Sequence, residues 1–500
     1  MSLATRKTRM AIVEETAGEP VSPTSGGDYL AVQDGFSMTP SFEALESAEL
    51  KPSLAKSKTI TGLEQPEASI SHYLYHSGTS GVVPEMNLLL KGAFGDVSVA
   101  STQYSVVSAT AGTSSVAATV TVGVGEGANF EAGEVVLLKF PSGYKMRPIE
   151  SISGDTLTLG FNLDNTTGLV GTGLGKAILY KPSAAEVLPK LTVWDYRGNG
   201  AAVQMMSGAI VSECSVTAEA GQLINASFSM SGNEFFFDPI EITASSDTID
   251  FTGDAGAKTA NLSVGFLKDP HDAASALASA MTAAAGGQTV SVVYSDTTGK
   301  FTVSATGAVF DIDWATTVDT LGAKFGFTAD DSGATSYLSD AAIGLTSPQT
   351  PALDGQDPLV AKANDIFLGE FYDNVCFPAQ SITMTLSNEV VDVKELCSVS
   401  GVAEKVASGR SVSIEMRATL DTYQAQQFKR FRTNQTTKFM YAFGPKSGGS
   451  FVEGKSGLIY LPKCTISAFQ LDDQDGIVVM TMTLSAFTAS GEGEVFLNLI

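Results

Sequence analysis

The side chains best suited to acid–base or metal chemistry in this chain are its three histidines, His72, His76 and His271. His72 and His76 flank Tyr73 and Tyr75 in a strand or strand end. A tetrahedral metal site needs more ligands at matched spacing, and neither CxxC nor HExxH occurs. These residues read as ordinary strand or surface histidines. Asp473, Asp475 and Gly476 mimic part of a calcium loop, but Leu471 stands at the first-ligand position and Met482 where the bidentate glutamate belongs. A turn is the expectation there, as at Asp330–Gly333. Gly171–Lys176 has the look of a phosphate loop, yet Val170 replaces its first glycine and Ala177 follows the lysine where Ser or Thr is required. A β-turn leading into the strand Ala177–Tyr180 explains the glycines. No GxSxG elbow is present. The expectation is a chain with no catalytic residues, no metal site and no cofactor, which is not an enzyme.

The totals agree. Five hundred residues suggest three or four domains, and 43% apolar residues suffice for real cores. Abundant glycine (49) with recurring Ser, Thr, Ala and Val favours short strands and tight turns, hence a mainly β protein. The 54 acidic residues outnumber the 30 basic ones, giving a formal charge of -24. Without a basic block, tight nucleic-acid binding is not expected. No apolar run approaches the roughly 18–20 residues that span a bilayer. Arg6, Lys7 and Arg9 precede only a short apolar stretch, Met10–Val13, too short for a signal-peptide core. The expectation is a protein made and kept in a cytoplasm. Cys214, Cys376, Cys397 and Cys464 lack metal spacing and read as buried free thiols.

The elements that carry these residues repeat. Met38–Leu50 aligns with Met384–Leu396 without a gap, with Met, Thr, Ser, both Glu and Leu identical and Glu46 facing Asp392. Ala68–Ser71 matches Val412–Glu415 after a small shift. Each copy then carries a short helix. The first begins at Pro84 and puts Met86, Leu89, Leu90 and Ala93 on one face. The second has Asp421 as cap and Leu420, Tyr423, Phe428 and Phe431 near helical spacing. Cys214–Ala218 aligns with Cys464–Ala468, and Phe228–Ser231 with Met482–Ser485. The expected division is an N-terminal arm at 1–27, ordered only on assembly; a first repeat unit at 28–100 and 184–239; an inserted small β-barrel at 101–183; an inserted α+β module at 240–345; a linker at 346–364; and a second repeat unit at 365–500. In the α+β module, Asp269–Pro270 marks a helix start, with Ala273, Leu277 and Met281 as its stripe. A hairpin, Val290–Ser295 and Phe301–Ser304, follows.

The order of these segments resembles the tail tube proteins of long, flexible-tailed phages. The residues that carry the likeness are Ala11–Pro20, Tyr29–Gly35, Ser37–Pro40, Ile60–Gly62, Leu88–Gly95, Ser207–Glu213 and Ala220–Gly232, with their recurrence in the second half. The resemblance implies β-sandwich tube domains, each with a flanking short helix, whose sheets join side by side into a ring lined by a continuous β-barrel. Such closure removes exposed strand edges. Two tube domains in one chain imply three chains per ring, a homotrimer with pseudo-sixfold symmetry. Stacked rings would form a hollow tube in the virion tail, partnered by tail tip, tape measure and terminator proteins. DNA would pass through without specific binding, and nothing would insert in a membrane. The resemblance also implies that the long loop after the first hairpin touches the adjacent ring. That loop is about Lys51–Thr61, with Lys51, Lys56 and Lys58, and Ser398–Ser411 in the second copy, with Glu404, Lys405 and Arg410. The two inserts are expected on the outside as decorations. The alternatives are a tail terminator or head decoration protein, against which the tandem repeat argues, and a glycan-binding β-module adhesin. The adhesin would need a signal peptide and aromatic clusters, and only Trp194 and Trp314 occur.

Overall fold

The computed structural model describes residues 8–31, 33–46, 48, 58–100, 102–141, 143–175, 177–307, 310–314, 321–345, 347–350, 357–362, 364–373, 376–398, 400–420, 425–474, 476–488 and 493–500. The chain is mainly β. Its centre is one run of eight antiparallel strands: β1 (Ser37–Thr39), β2 (Glu67–Tyr73), β3 (Ala202–Glu219), β4 (Asn225–Ser231), β5 (Ala379–Lys394), β6 (Val402–Thr419), β7 (Gly457–Gln474) and β8 (Ile477–Ala486). Their spatial order is β1-β2-β4-β3-β5-β6-β8-β7. The first four belong to one sandwich and the last four to the other. The junction is the ladder between β3 and β5, in which Val216 faces Met384.

Period-2 alternation decides which face is buried. Met38, Ala68, Ile70, Phe228, Met230, Val216, Met384, Leu386, Ile414, Met416, Met482 and Leu484 all point into one apolar core shared by the two sandwiches. A second layer closes each sandwich. In the first it comprises Arg9–Glu14, Leu191–Arg197, the start of β3 and Glu234–Phe237. In the second it comprises Asp365–Gly369, Thr437–Phe443, the start of β7 and Phe496–Leu499. Phe496–Leu499 also pairs with Ile178–Pro182 of the first half, so the outer layers are joined too. Of the segment expected as an N-terminal arm, residues 9–14 form a strand that ladders with Leu191–Arg197 and buries Met10, Ala11 and Ile12 within the chain itself.

Two helices flank the sandwiches. Helix α1 (Asn87–Phe94) starts three residues after Pro84, which accepts a turn bond from Asn87, and it buries Leu89, Leu90 and Ala93 as expected. In the α+β module, α2 (Pro270–Ala284) is capped by the Asp269 carboxylate, which accepts from the amides of His271 and Asp272. Helix α3 (Ala425–Thr433) departs from the sequence expectation. Its buried residues are Gln427 and Arg430, whereas Phe428 is 48% exposed; Asp421 and Tyr423 lie outside the described residues. Arg430 is held by Asp373 at 2.6 Å and by the Leu368 carbonyl at 3.2 Å.

The insert expected as a small barrel has five strands, Ser108–Thr110, Thr119–Thr121, Val135–Phe140, Gly143–Ser153 and Thr156–Leu159, in one antiparallel sheet over its own core, and no ladder among the described residues joins the first of them to Val135–Phe140. Its other side packs on the second sandwich. Val135, Leu137, Met146 and Phe161 meet Phe367, Met440, Leu458 and Tyr460. Asn498 seals that seam, accepting from Val135 N at 3.1 Å and donating to Gly133 O at 3.0 Å. The α+β module has a separate core and contains the expected hairpin, Val290–Ser295 with Lys300–Ala305.

Ladder register gives the repeat its true correspondence. Met38 faces Ala68 and Met384 faces Ile414, so Ala68 corresponds to Ile414, two residues beyond the match read from sequence. Phe228 faces Cys214 and Met482 faces Phe469, so Cys214 corresponds to Phe469 and not to Cys464. Cys214 and Cys464 are buried, while Cys376 and Cys397 are exposed rather than buried; all four are free.

Candidate assembly surfaces

The sequence-derived stacking residues come first. Lys51, Lys56, Asp475 and Lys176 lie outside the described residues, and Lys58 is exposed. The segment expected as a long loop, Ser398–Ser411, is mostly strand: from Val402 onward it belongs to β6 and ladders with β5. The hairpin's inner face lies on the first sandwich. Lys405 is 3% exposed and pairs with Asp392 at 2.5 Å, and Asp392 also accepts from Gln65. Burial pushes the Asp392 carboxyl up, and the hydrogen bond and charge of Lys405 more than reverse this, leaving it below the usual range. Glu404 pairs with Lys190 at 2.8 Å, which holds its carboxyl low. Arg410 donates to Asn388 Oδ1 at 3.1 Å and to the Phe94 carbonyl at 3.0 Å. Asn388 in turn donates to Ala93 O and Val211 O, each at 3.0 Å. Glu404, through Lys190, and Arg410, through the Phe94 carbonyl, therefore bind one half of the chain to the other, while Lys405 pairs within its own hairpin and fixes the Asp392 that accepts from Gln65 of the first half. Residue type and loop position could not show this, because the partners are distant in sequence or set by the strand register.

The hairpin's other face carries Glu404, opposite Val393, among exposed apolar side chains. Val391 faces Val406, and they are 45% and 38% exposed, with Val393 beside them and Leu396 fully exposed near the tip. Its counterpart in the first half, Phe42–Leu45 with Ile60–Glu64, exposes Phe42, Leu45 and Ile60.

The face of the eight-strand run opposite the core is hydroxyl-rich. It presents Ser69, Ser227, Ser229, Ser215, Thr217, Thr383, Thr385, Ser413, Thr481 and Thr483, all half-buried or exposed. Its charged residues include Glu67, Glu213, Glu219, Glu389 and Glu415, against Arg417. At the ends of the run, two strand edges are left without a described partner along part of their length: the outer edge of β1 and that of the second half of β7.

The histidines are not gathered into a site. His72 is buried, and its Nδ1–H lies 2.6 Å from the Tyr73 carbonyl; burial lowers its pKa. Burial takes His76 down to about 4. His271 is exposed beside Asp296. Among the described residues no group of three His, Cys, Asp or Glu side chains is placed to hold a metal ion, and no helix is long and apolar enough to cross a membrane.

Two like sandwiches fused edge to edge, each with a flanking helix, define a β-sandwich structural subunit. The chain belongs to the phage tail tube protein family, whose profile matches residues 5–261. It is thus a structural protein of the virion tail. The matched stretch takes in the first sandwich and the barrel and ends inside the α+β module. Among solved structures, the chain is similar to a protein in the virion of a native gene transfer agent particle, at 15% identity and a TM-score of 0.19, over 25% of this chain and 92% of that one. Among curated proteins nothing matches.

Proposed function

We propose that three copies of this chain close into a ring of six tube domains, and that stacked rings form the hollow tail tube through which the genome is delivered. The observation that carries this reading is the β3–β5 ladder. It joins two tube domains in one continuous sheet and leaves one open edge of each kind at the ends of the run. A strand edge with unpaired N–H and C=O groups is a template for another strand. Opposite edges on one subunit make a head-to-tail contact, and such a contact ends in a closed ring when the rotation fits.

The hydroxyl face becomes the wall of the lumen. Short Ser and Thr side chains leave the bore open, and the excess of glutamates over Arg417 repels phosphate, so DNA slides without sticking. The barrel and the α+β module sit on the outer side. The barrel also clamps the two tube domains together through Asn498 and the shared apolar seam. Ring-to-ring contact falls to the hairpins. In the second copy Glu404, Lys405 and Arg410 are already engaged within the chain, so the stacking surface there is Val391, Val393, Val406 and Leu396. In the first copy it is Lys51, Lys56 and Lys58 with the neighbouring apolar residues. Tail tip, tape measure and terminator proteins are the partners of such a tube.

Electron microscopy of the purified full chain across a concentration series tests the reading. Hollow rings of three chains with six outer lobes are expected. Rings of any other chain number, or a chain that stays monomeric even with a tail-tip initiator, would remove it.

A further inference from the structure

The joint inside the chain is a template for the joint between chains, given the ring reading above. We infer that Phe42 of one copy seats on the aromatic face of α3 of a second copy, with β1 of the first laddered to the open edge of β7 of the second.

The two halves of the chain supply corresponding positions. By ladder register, β1 with Phe42–Leu45 corresponds to β5, and the second half of β7 corresponds to the second half of β3. Inside the chain Val216 faces Met384. Their counterparts are Leu471 and Met38. Val216 is 2% exposed beneath β5, and Leu471 is 56% exposed. The same step of the same sheet is covered in one place and bare in the other, and what differs is the strand alongside. Carrying the internal register over puts Leu471 opposite Met38 and Gln470 opposite Thr39.

Further along the same strand, Asn388 corresponds to Phe42. Their cross-strand partners, Arg410 and Glu64, correspond as well. Asn388 reaches the C-terminal end of α1 and Val211. The counterpart of α1 is α3, and that of Val211 is Ile466. Phe42, 53% exposed, therefore arrives at α3 of the second copy. What waits there is aromatic. Phe428 lies 5.5 Å from Phe469 edge-on, and Phe431 stacks on Phe469 at 6.1 Å. An amide meets carbonyls at the internal joint, and a phenyl ring meets phenyl rings at the external one. This accounts for the exposure of Phe428, which faces out while Phe431 and the polar Gln427 and Arg430 of the same helix face its own core. A second copy is the occupant because both halves of the joint are on this chain, and the geometry that mates them is already built once within it.

The test uses the full chain with the exposed cysteines removed (C376S, C397S) and the pair T39C and Q470C added. Facing strand positions lie within disulfide reach, so oxidation gives interchain products up to a covalent closed species. The off-register pair T39C with D472C is expected to cross-link at least about tenfold more slowly. F42A is expected to raise the concentration needed for association about tenfold or more, the effect of losing one buried aromatic contact, and F42W to restore it. Three-chain rings without the 39–470 product, or F42A assembling at the wild-type concentration, overturn this joint and leave the ring reading standing. The product in particles of another chain number keeps the joint and removes the ring reading. Failure of the full chain to associate at any concentration, with a tail-tip initiator present, overturns both.

Discussion

Ser212 and Ser467 occupy the same β-bulge in the two tube domains. Each hydroxyl donates to the carbonyl of the neighbouring strand, Ser212 to Ser229 at 3.1 Å and Ser467 to Thr483 at 3.2 Å. Each bulge lies close to the point where a long strand passes from one layer of its sandwich to the other. β3 pairs with Leu191–Arg197 before it and with β4 across and after it; β7 pairs with Thr437–Phe443 before and with β8 across and after. A bulge bends and twists the strand that carries it, so one extra residue lets a single strand serve both layers. Identical placement fixes the correspondence of the two halves independently of sequence identity.

Deleting Ser467 is therefore expected to be far worse than replacing it. S467A removes two exposed hydroxyl bonds, the donation to Thr483 O and the acceptance from the Ser485 hydroxyl, and should cost about 1 kcal/mol or less. Deletion shifts the chain on one side by one residue, and a one-residue slip sends every following side chain to the other face. Soluble yield and urea unfolding check this: S467A should unfold near wild type, and the deletion should give no cooperative transition.

Asn388 links the two sandwiches through Ala93 O and Val211 O while also accepting from Arg410. N388A strips two buried carbonyls of donors and leaves Arg410 short of an acceptor. A loss of about 2–4 kcal/mol is expected. N388D keeps the acceptor but removes the donors and should fall as far. Equilibrium unfolding of unassembled protein is the measurement, and wild-type stability in both variants would show that the ladder alone holds the halves together.

Much of this was legible in sequence, and the rest was hidden for definable reasons. Alternation along Phe228–Ser231, Met384–Ser387 and Met482–Ser485 gives the strands and their buried faces. The step of the repeat is less visible. Matching Ala68 to Val412 errs by two residues, which leaves every side chain on its proper face. Matching Cys214 to Cys464 errs by five residues, one of them the bulge, and again preserves the face. The spacing of Phe428 and Phe431 reports an apolar face on α3, and Phe431 does pack on the chain's own core, but spacing alone does not show that Phe428 stays exposed. The charges of Glu404, Lys405 and Arg410 read as solvent-facing because their partners, Lys190, Asp392 and Asn388, are fixed only by the fold. The docking of the barrel on the second sandwich had no local signal at all.

His76 makes the fold sensitive to acid. Burial holds its folded pKa near 4, below the ordinary 6.5. Between these values the unfolded chain takes up a proton that the folded chain refuses. The stability this group contributes is full above about pH 6.5 and is lost as pH falls toward 4, up to ~3 kcal/mol in all. Replacing it by a group that does not titrate, H76Q, is expected to flatten this part of the profile whatever its effect at neutral pH. Thermal melts at pH 7.5 and pH 5 give the comparison, and an equal drop in wild type and H76Q would assign the acid sensitivity elsewhere.

Glu134 works in the opposite direction across an overlapping range. It is 5% exposed at the barrel's seam with the second sandwich, and burial, with a smaller push from the Glu131 charge, raises its carboxyl to about 7 despite a hydrogen bond from the Glu131 amide and the charge of Lys181. A raised folded pKa means that the folded chain holds a proton the unfolded chain has released. Stability from this group is full below about 4.5 and falls as pH rises through 7. E134Q keeps an oxygen to accept from Glu131 N and removes the titration. It should be near neutral at pH 4.5 and stabilising by up to ~3 kcal/mol at pH 8. The gain should concentrate in the barrel, so amide exchange across Gly133–Ile149 ought to slow in E134Q at pH 8 and not at pH 4.5. A uniform effect at both pH values would mean that Glu134 remains charged in the fold, screened by Lys181, and that the seam tolerates a buried carboxylate.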